Sequence, residues 1–340
     1  LKEQLMDMHS QLEEMAVPAL VSTGQLPAPP QVSVVMEEAY HRYRKIDEGV
    51  VADYIPALAR APRRHFGLCV AGANGGIYAV GDTDVEFSMQ SISKPFVFAL
   101  VCQAIGEATA RQKLGVNSTG LPFNSVMAIE LNPQRTMNPM VNAGAIATTS
   151  LIPGDSADAK WQFIVAGLSR FAGRQLTLDG EVYASEAAHN QRNQGIARLL
   201  ESYDRIYCDP LLATEVYTRQ CSLNVTVKDL AVMGATLADG GINPVTREQV
   251  IDAGYCRRVL AVMATAGLYE RSGDWLYETG LPGKSGVSGG IVTVAPGKGG
   301  LGVYAPLLDA AGNSVRGQLA TKFLSERLGL NLFASQVVAP

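Results

Sequence analysis

Gln90-Ser91-Ile92-Ser93-Lys94-Pro95 sets a serine three positions ahead of a lysine, with a proline directly behind it. A gap of three places Ser91 and Lys94 on one face of a helix. Pro95 lacks a backbone N–H, a loss that is harmless only in a first turn, so the helix must open close to Ser91. A serine there meets unpaired N–H groups and the positive end of the helix dipole, both of which favour developing negative charge. Its hydroxyl is a weak nucleophile until a neighbour takes the proton. An ordinary lysine is neutral in only about one molecule in 2,500 at pH 7. Lys94 can therefore act as base only if burial and a second nearby cation lower its pKa. Taken alone, the same residues also read as a helix cap beside a solvated lysine.

Working outward, the second cation has a candidate in Lys284-Ser285-Gly286. A K-[ST]-G element accompanies S-x-x-K in serine acyl-transfer enzymes, and here it opens a strand-like run, Gly286–Ala295. Leu301–Pro306 reads as another strand. Early in the chain Phe66–Val70 and Ile77–Val80 flank the Gly/Asn-rich Gly72–Gly76, a hairpin signal. Val34–Leu58 and residues 314–329 read as helices, and the stretch from about 105 to 250 shows helical patterns with few convincing strands. Strands at both ends around a helical block predict an α+β fold: one antiparallel sheet built from both chain ends, helices packed on it, and an inserted all-helical lobe. The expected division is an N-terminal helix and Pro-rich linker over 1–30, an α/β lobe from 31–104 and 251–340, and a helical lobe over 105–250. A cleft between two such lobes suits a small molecule.

Composition supports a folded enzyme-sized body. The 340 residues are 47% hydrophobic and 18% charged, with a net charge of −4. That balance excludes global disorder and argues against nucleic acid as the partner. The longest apolar run, Phe96–Cys102, is far short of the ~20 residues a membrane span needs. Five scattered cysteines and four separated histidines predict free thiols in a reducing, cytoplasmic setting, with no metal site. Leu1, Leu5, Met8, Leu12 and Met15 follow heptad spacing. A helix there would dock on the protein's own body or on a second copy.

Further candidates concern recognition. Glu186 and Asn193 are seven apart and return to nearly the same face if the segment is helical. A carboxylate beside an amide could grip an α-amino and α-carboxyl pair; both also read as solvated side chains. Asn138-Pro139-Met140-Val141-Asn142-Ala143-Gly144-Ala145 sets two amides among small residues, as at a ligand-approached backbone or an ordinary loop-to-helix junction. Tyr54, Tyr217 and Tyr269 lie on otherwise apolar segments, where core tyrosines are common.

Taken together, the Val51–Pro56 segment, Gln90–Lys94, Asn138–Ala145, Ser185-Glu186 through Arg192-Asn193, and Gly280–Val287 resemble the serine-dependent glutaminases, a group with bacterial and animal mitochondrial members. The resemblance runs from about residue 35 to 330, in the same order and with similar spacings. It implies a β-lactamase/transpeptidase-like fold and hydrolysis of L-glutamine to glutamate and ammonia, with no metal or organic cofactor. By the same resemblance Ser91 is the nucleophile, Lys94 its activating base, and Tyr269 the relay of a proton to ammonia. The backbone N–H groups of Ser91 and Val287 form the oxyanion hole. Glu186 holds the α-ammonium, while Asn142, Asn193, Tyr54 and Tyr217 orient the backbone end. Gln90 belongs to the pattern as a substrate-side residue. The expected partner is L-glutamine, with a homo-oligomer (dimer or tetramer) and neither membrane nor nucleic acid. Gly283 stands where an alanine-like residue is expected, and Ser288 where glycine is frequent. A penicillin-recognising acyl-transferase or β-lactamase shares Ser91, Lys94 and the Lys284 element. A non-catalytic amino-acid-binding relative is the alternative from another class.

Overall fold

Antiparallel pairing between early and late segments organises the chain, whose computed structural model describes residues 24–335. The heptad-spaced stretch 1–15 lies outside the described residues. In chain order the strands are β1 (Gly67–Gly72), β2 (Ile77–Gly81), β3 (Phe87–Ser88), β4 (Thr177–Leu178), β5 (Leu223–Val225), β6 (Gly283–Ser285), β7 (Gly290–Ala295) and β8 (Gly299–Tyr304). The helices that bear on the site are α1 (Pro29–Tyr43), α2 (Ser93–Ile105), α3 (Asn142–Ser150), α4 (Gly180–Ala188), α5 (Gln191–Ser202), α6 (Pro210–Cys221), α7 (Val227–Ala238) and α8 (Val315–Arg327).

Five strands form one sheet in the order β2-β1-β8-β7-β6, every pair antiparallel. The expected hairpin is there, with Ala71 opposite Ile77 and Gly75 at φ +90° in the turn. Its partner across the chain is β8, in register from Gly67 opposite Tyr304 to Gly72 opposite Gly299. Side chains alternate across a strand. Leu68, Val70, Leu301 and Val303 therefore face one core with Val32, Val35 and Met36 of α1 and Phe323 and Leu324 of α8. Cys69, Ala71, Val292, Val294 and Tyr304 face the larger core, which continues through α7 and α2. Each such fully buried aliphatic or aromatic side chain contributes about 1.5–3 kcal/mol.

Helix α7 falls within the stretch read as a separate helical lobe, yet it lies directly on the five-stranded sheet. Glycines let it come that close: a Cβ on Gly300 would stand 2.3 Å from the Ala231 carbonyl oxygen, and one on Gly302 2.2 Å from that of Val227.

Three expectations differ from the structure. The middle of the chain is not all helical, because β4 and β5 join β3 in a three-stranded antiparallel sheet. Strands of two or three residues are too short to show a period of two. Val34–Leu58 is not one helix. Pro29 and Pro30 occupy the first turn of α1, drawing its start into the Pro-rich stretch, and it ends at Tyr43. Gly49 turns at φ +101°, Val50 bridges to Leu308, and Pro56 opens a separate helical turn. The run Gly286–Ala295 is a turn followed by β7, and Lys284-Ser285 sits on β6. Gly289, at φ +106° and with the Ala305 carbonyl oxygen 2.4 Å from where a Cβ would be, makes that turn possible.

Candidate active site

Ser91 sits in a single 3-10 turn, Gln90–Ile92, immediately before α2. Pro95 consequently falls in the first turn of the helix, as its missing N–H requires. Gln90, just ahead of the serine, adopts φ +52°, a left-handed conformation that is unfavourable for a residue with a side chain. Ser91 is 8% exposed and Lys94 1%. The Lys94 Nζ donates to Asn142 Oδ1 at 2.8 Å and reaches the Met140 carbonyl at 3.4 Å, both neutral acceptors. Burial without a carboxylate partner brings the Lys94 pKa down to about 7. The glycine in the Asn142 segment has a reason too. A Cβ on Gly144 would stand 1.9 Å from the Asn138 carbonyl oxygen, so only glycine lets α3 seat Asn142 against the lysine.

Tyr269 approaches from the other side. It takes φ +56°, its hydroxyl donates to the Ser285 carbonyl at 3.4 Å, and burial pushes its pKa up to about 12. The Lys284 Nζ donates to the Ser285 carbonyl at 2.7 Å and lies 4.4 Å from the Tyr269 ring centroid. Lys284 was expected to be the cation that depresses Lys94. Burial is the leading cause at both lysines, and the two amines repel each other, with Lys284 held well below the usual lysine range. Gly286 lets the β6–β7 turn close on the nucleophile: a Cβ there would come within 3.1 Å of the Met89 carbonyl oxygen and 3.2 Å of Ile92. Gly283 is likewise demanded by its surroundings, since a Cβ would meet the Trp275 ring at 2.8 Å. Ser288, the other departure, is buried with its hydroxyl unpartnered.

In front of Ser91 lies a cavity of about 390 Å³. Tyr54, Gln90, Ser91, Asn142, Glu186, Asn193, Tyr217 and Val287 all line it, whereas Lys94, Tyr269 and Lys284 stand behind its wall. Glu186 Oε1 accepts from the Tyr54 hydroxyl at 2.6 Å and from Gln90 Nε2 at 3.2 Å. Burial raises the Glu186 pKa, and those two donors oppose the rise. Asn142 Oδ1 also accepts from the Tyr217 hydroxyl at 3.3 Å, while its Nδ2 donates to Asn193 Oδ1 at 3.1 Å. Glu186 and Asn193 both line the cavity, although by a different route from the one helix that the spacing suggested. α4 stops at Ala188 and α5 starts at Gln191, because His189 and Asn190 leave helical geometry between them.

Sequence reasoning missed Phe123, Asn124, His189, Asn190, Arg192, Thr218 and Cys221 in the lining. Cys221 carried a usable signal, being four residues beyond Tyr217 on one face of α6. Phe123 and Asn124 lie in a loop with no motif; Phe123 reaches the site by packing on Tyr269, ring centroids 4.7 Å apart, and its carbonyl accepts from the Asn142 N–H. Among the described residues no three His, Cys, Asp or Glu side chains gather as a metal site, and no helix is long and apolar enough to cross a membrane.

Comparison with known proteins agrees with this arrangement. Residues 49–333 match the family described as Glutaminase. Glutaminase 2 of Yersinia pestis is 60% identical over 98% of both chains. A glutaminase of Colwellia psychrerythraea is 50% identical over 90% of this chain and 99% of its own. A solved structure described as the probable glutaminase ybaS superposes with a TM-score of 0.90 at 43% identity, covering 91% of this chain and all of that one. A cavity that sets a buried serine and a carboxylate side by side is thus found in a chain that belongs to the glutaminase family, enzymes that hydrolyse L-glutamine to L-glutamate and ammonia.

Proposed function

We propose that glutamine hydrolysis here runs through a covalent acyl-enzyme on Ser91. The Ser91 hydroxyl gives its proton to the neutral Lys94 amine as Oγ attacks the side-chain amide carbon, and the carbon–nitrogen bond then breaks. Tyr269 returns a proton to the departing ammonia. Water adds to the γ-glutamyl ester by the reverse path and frees glutamate. The negative oxygen of each tetrahedral intermediate faces the backbone N–H groups of Ser91 and Val287; that of Val287 has no backbone acceptor. One such donor is worth about 3–4 kcal/mol of barrier in other hydrolases. Glu186 takes the α-ammonium, and Tyr54, Asn142, Asn193 and Tyr217 hold the backbone end of the substrate.

The observation that carries this reading is Lys94: a buried amine titrating at about 7, three residues from a buried serine and paired only with neutral acceptors. The wider reading includes a β-lactamase/transpeptidase-like architecture, supported by the sheet closed from both chain ends and the Lys284-Ser285-Gly286 strand at its edge. It also keeps the division into an α/β lobe (31–104 and 251–340) and a helical lobe (105–250), with the cavity drawing residues from both. Cytoplasmic location fits the five free thiols, and homo-oligomerisation follows the family resemblance.

The test is to stop the reaction on a slowly hydrolysed γ-glutamyl ester and weigh the protein. A glutamyl mass increment on Ser91, absent in Ser91→Ala together with ammonia release, is expected. Ammonia release by Ser91→Ala at the wild-type rate would overturn the mechanism.

A further inference from the structure

Behind the cavity a chain of buried polar side chains runs through three helices to the peptide that precedes the nucleophile. Gln220 on α6 and Thr149 on α3 are fully buried, as is Ser93 at the start of α2. Thr149 Oγ1 lies 2.9 Å from Gln220 Oε1, Gln220 Nε2 lies 3.2 Å from Ser93 Oγ, and Ser93 Oγ lies 2.9 Å from the Gln90 carbonyl oxygen. A carbonyl can only accept, so the Ser93 hydroxyl donates to Gln90 and accepts from the Gln220 amide, while Gln220 Oε1 accepts from the Thr149 hydroxyl, which also reaches the Ala145 carbonyl at 3.0 Å. Removing a member of the chain leaves a buried partner short of a hydrogen bond, a costly outcome in the interior.

Gln90 is where the chain ends, and it needs holding. Its φ of +52° persists only if its surroundings over-determine it. Its carbonyl takes both the Ser93 hydroxyl and the Ser93 backbone N–H, while its side chain donates to Glu186 and to Ser88 Oγ. Ser91 follows directly. We infer that Gln220 is a positioning residue for this hydrolysis: through Ser93 it pins the strained Gln90 peptide, and so sets where the Ser91 oxygen stands. Gln220 touches neither the cavity nor Ser91, and the inference rests on Ser91 being the nucleophile. Glu186 keeps its separate hydrogen bond from Tyr54, so substrate binding should survive when the chain is broken.

The experiment compares Gln220→Met, Ser93→Ala and Thr149→Val in the full-length enzyme, with Asn243→Leu as control. Asn243 is an equally buried amide, held by the Arg170 and Phe171 carbonyls away from the site. Each break in the chain is expected to lower kcat about ten-fold or more, as a small displacement of a reacting atom does, with KM within about three-fold of wild type. The double variant Gln220→Met/Ser93→Ala should be no slower than the slower single one, since both cut the same chain. Asn243→Leu should lower Tm and leave kcat alone. Folded Gln220→Met with wild-type kcat, or losses in kcat that multiply in the double variant, would overturn the inference. Should Gln220→Met fail to fold, the same reading is taken from Ser93→Ala and the near-isosteric Thr149→Val. Inactive Ser91→Ala beside fully active chain variants sinks this inference alone; active Ser91→Ala sinks the mechanism and the inference with it.

Discussion

Lys94 carries a buried amine without a counter-charge. Two neutral oxygens accept from it and no carboxylate offsets its charge, so the amine titrates at about 7 instead of in the usual lysine range. In the proposed mechanism Lys94 is protonated below that pH and cannot take the Ser91 proton, so kcat/KM is expected to rise with pH through about 7. A profile flat between about pH 6 and 8 would rule Lys94 out as the base. Stability has the same sign. The unfolded chain binds the proton up to its ordinary pKa and the folded one does not, so stability should rise from about pH 7 to 10, by up to about 1.4 kcal/mol per pH unit for this lysine. Urea titrations across that window measure it. At Glu186 burial raises the carboxyl's pKa, and the hydrogen bonds from Tyr54 and Gln90 oppose that rise. Glu186→Gln removes the charge that an α-ammonium requires, and kcat/KM for glutamine should fall about 10- to 100-fold, the worth of a hydrogen bond to a charged group. Unchanged kinetics would displace Glu186 from recognition.

At the scale of elements, the contact between α7 and the five-stranded sheet ties the sheet into the larger core. Gly300 and Gly302 on β8, with Gly234 on the helix, let backbone lie on backbone. Asp229 fixes the helix start: it caps Thr226 and forms a two-pronged pair with Arg174, at 2.7 and 2.6 Å. Gly300→Ala would drive a methyl group against the Ala231 carbonyl and the Ala235 N–H, forcing the helix off the sheet. We expect a loss of about 1–3 kcal/mol by urea denaturation, the usual range for overpacking. A neutral result would mean that α7 shifts without resistance.

Across the whole molecule, the cavity collects residues from positions 54 to 287, and the five-stranded sheet pairs β1 with β8. Such non-local pairing forms late and slowly in folding. One side chain draws these distant segments together. Arg316 of α8, 1% exposed, donates to the carbonyls of Arg44, Arg63, Arg64 and His65 and lies 5.3 Å over the Phe66 ring. Arg316→Met strips four inward-facing carbonyls of a donor. The expected result is a stability loss of at least about 2 kcal/mol in denaturant, with kcat of the folded fraction unchanged. A parallel loss of kcat in fully folded protein would show that this anchor also shapes the cavity.

How much was legible in advance follows from where the information lies along the chain. Ser91, Lys94 and Pro95 are neighbours, so local helix chemistry announced them, and the hairpin declared itself through the residues of its turn. Residues by themselves determined the chemical repertoire: a serine beside an amine, a carboxylate with amides, and strands from both ends of the chain. They did not reveal that Glu186 and Asn193 belong to two helices, that short strands pair in the middle of the chain, or that Phe123 and Cys221 reach the cavity. Tertiary structure alone decided these points. Desolvation and glycine-permitted close approach depend on what packs around a residue, and those neighbours come from sequence positions scores or hundreds of residues away.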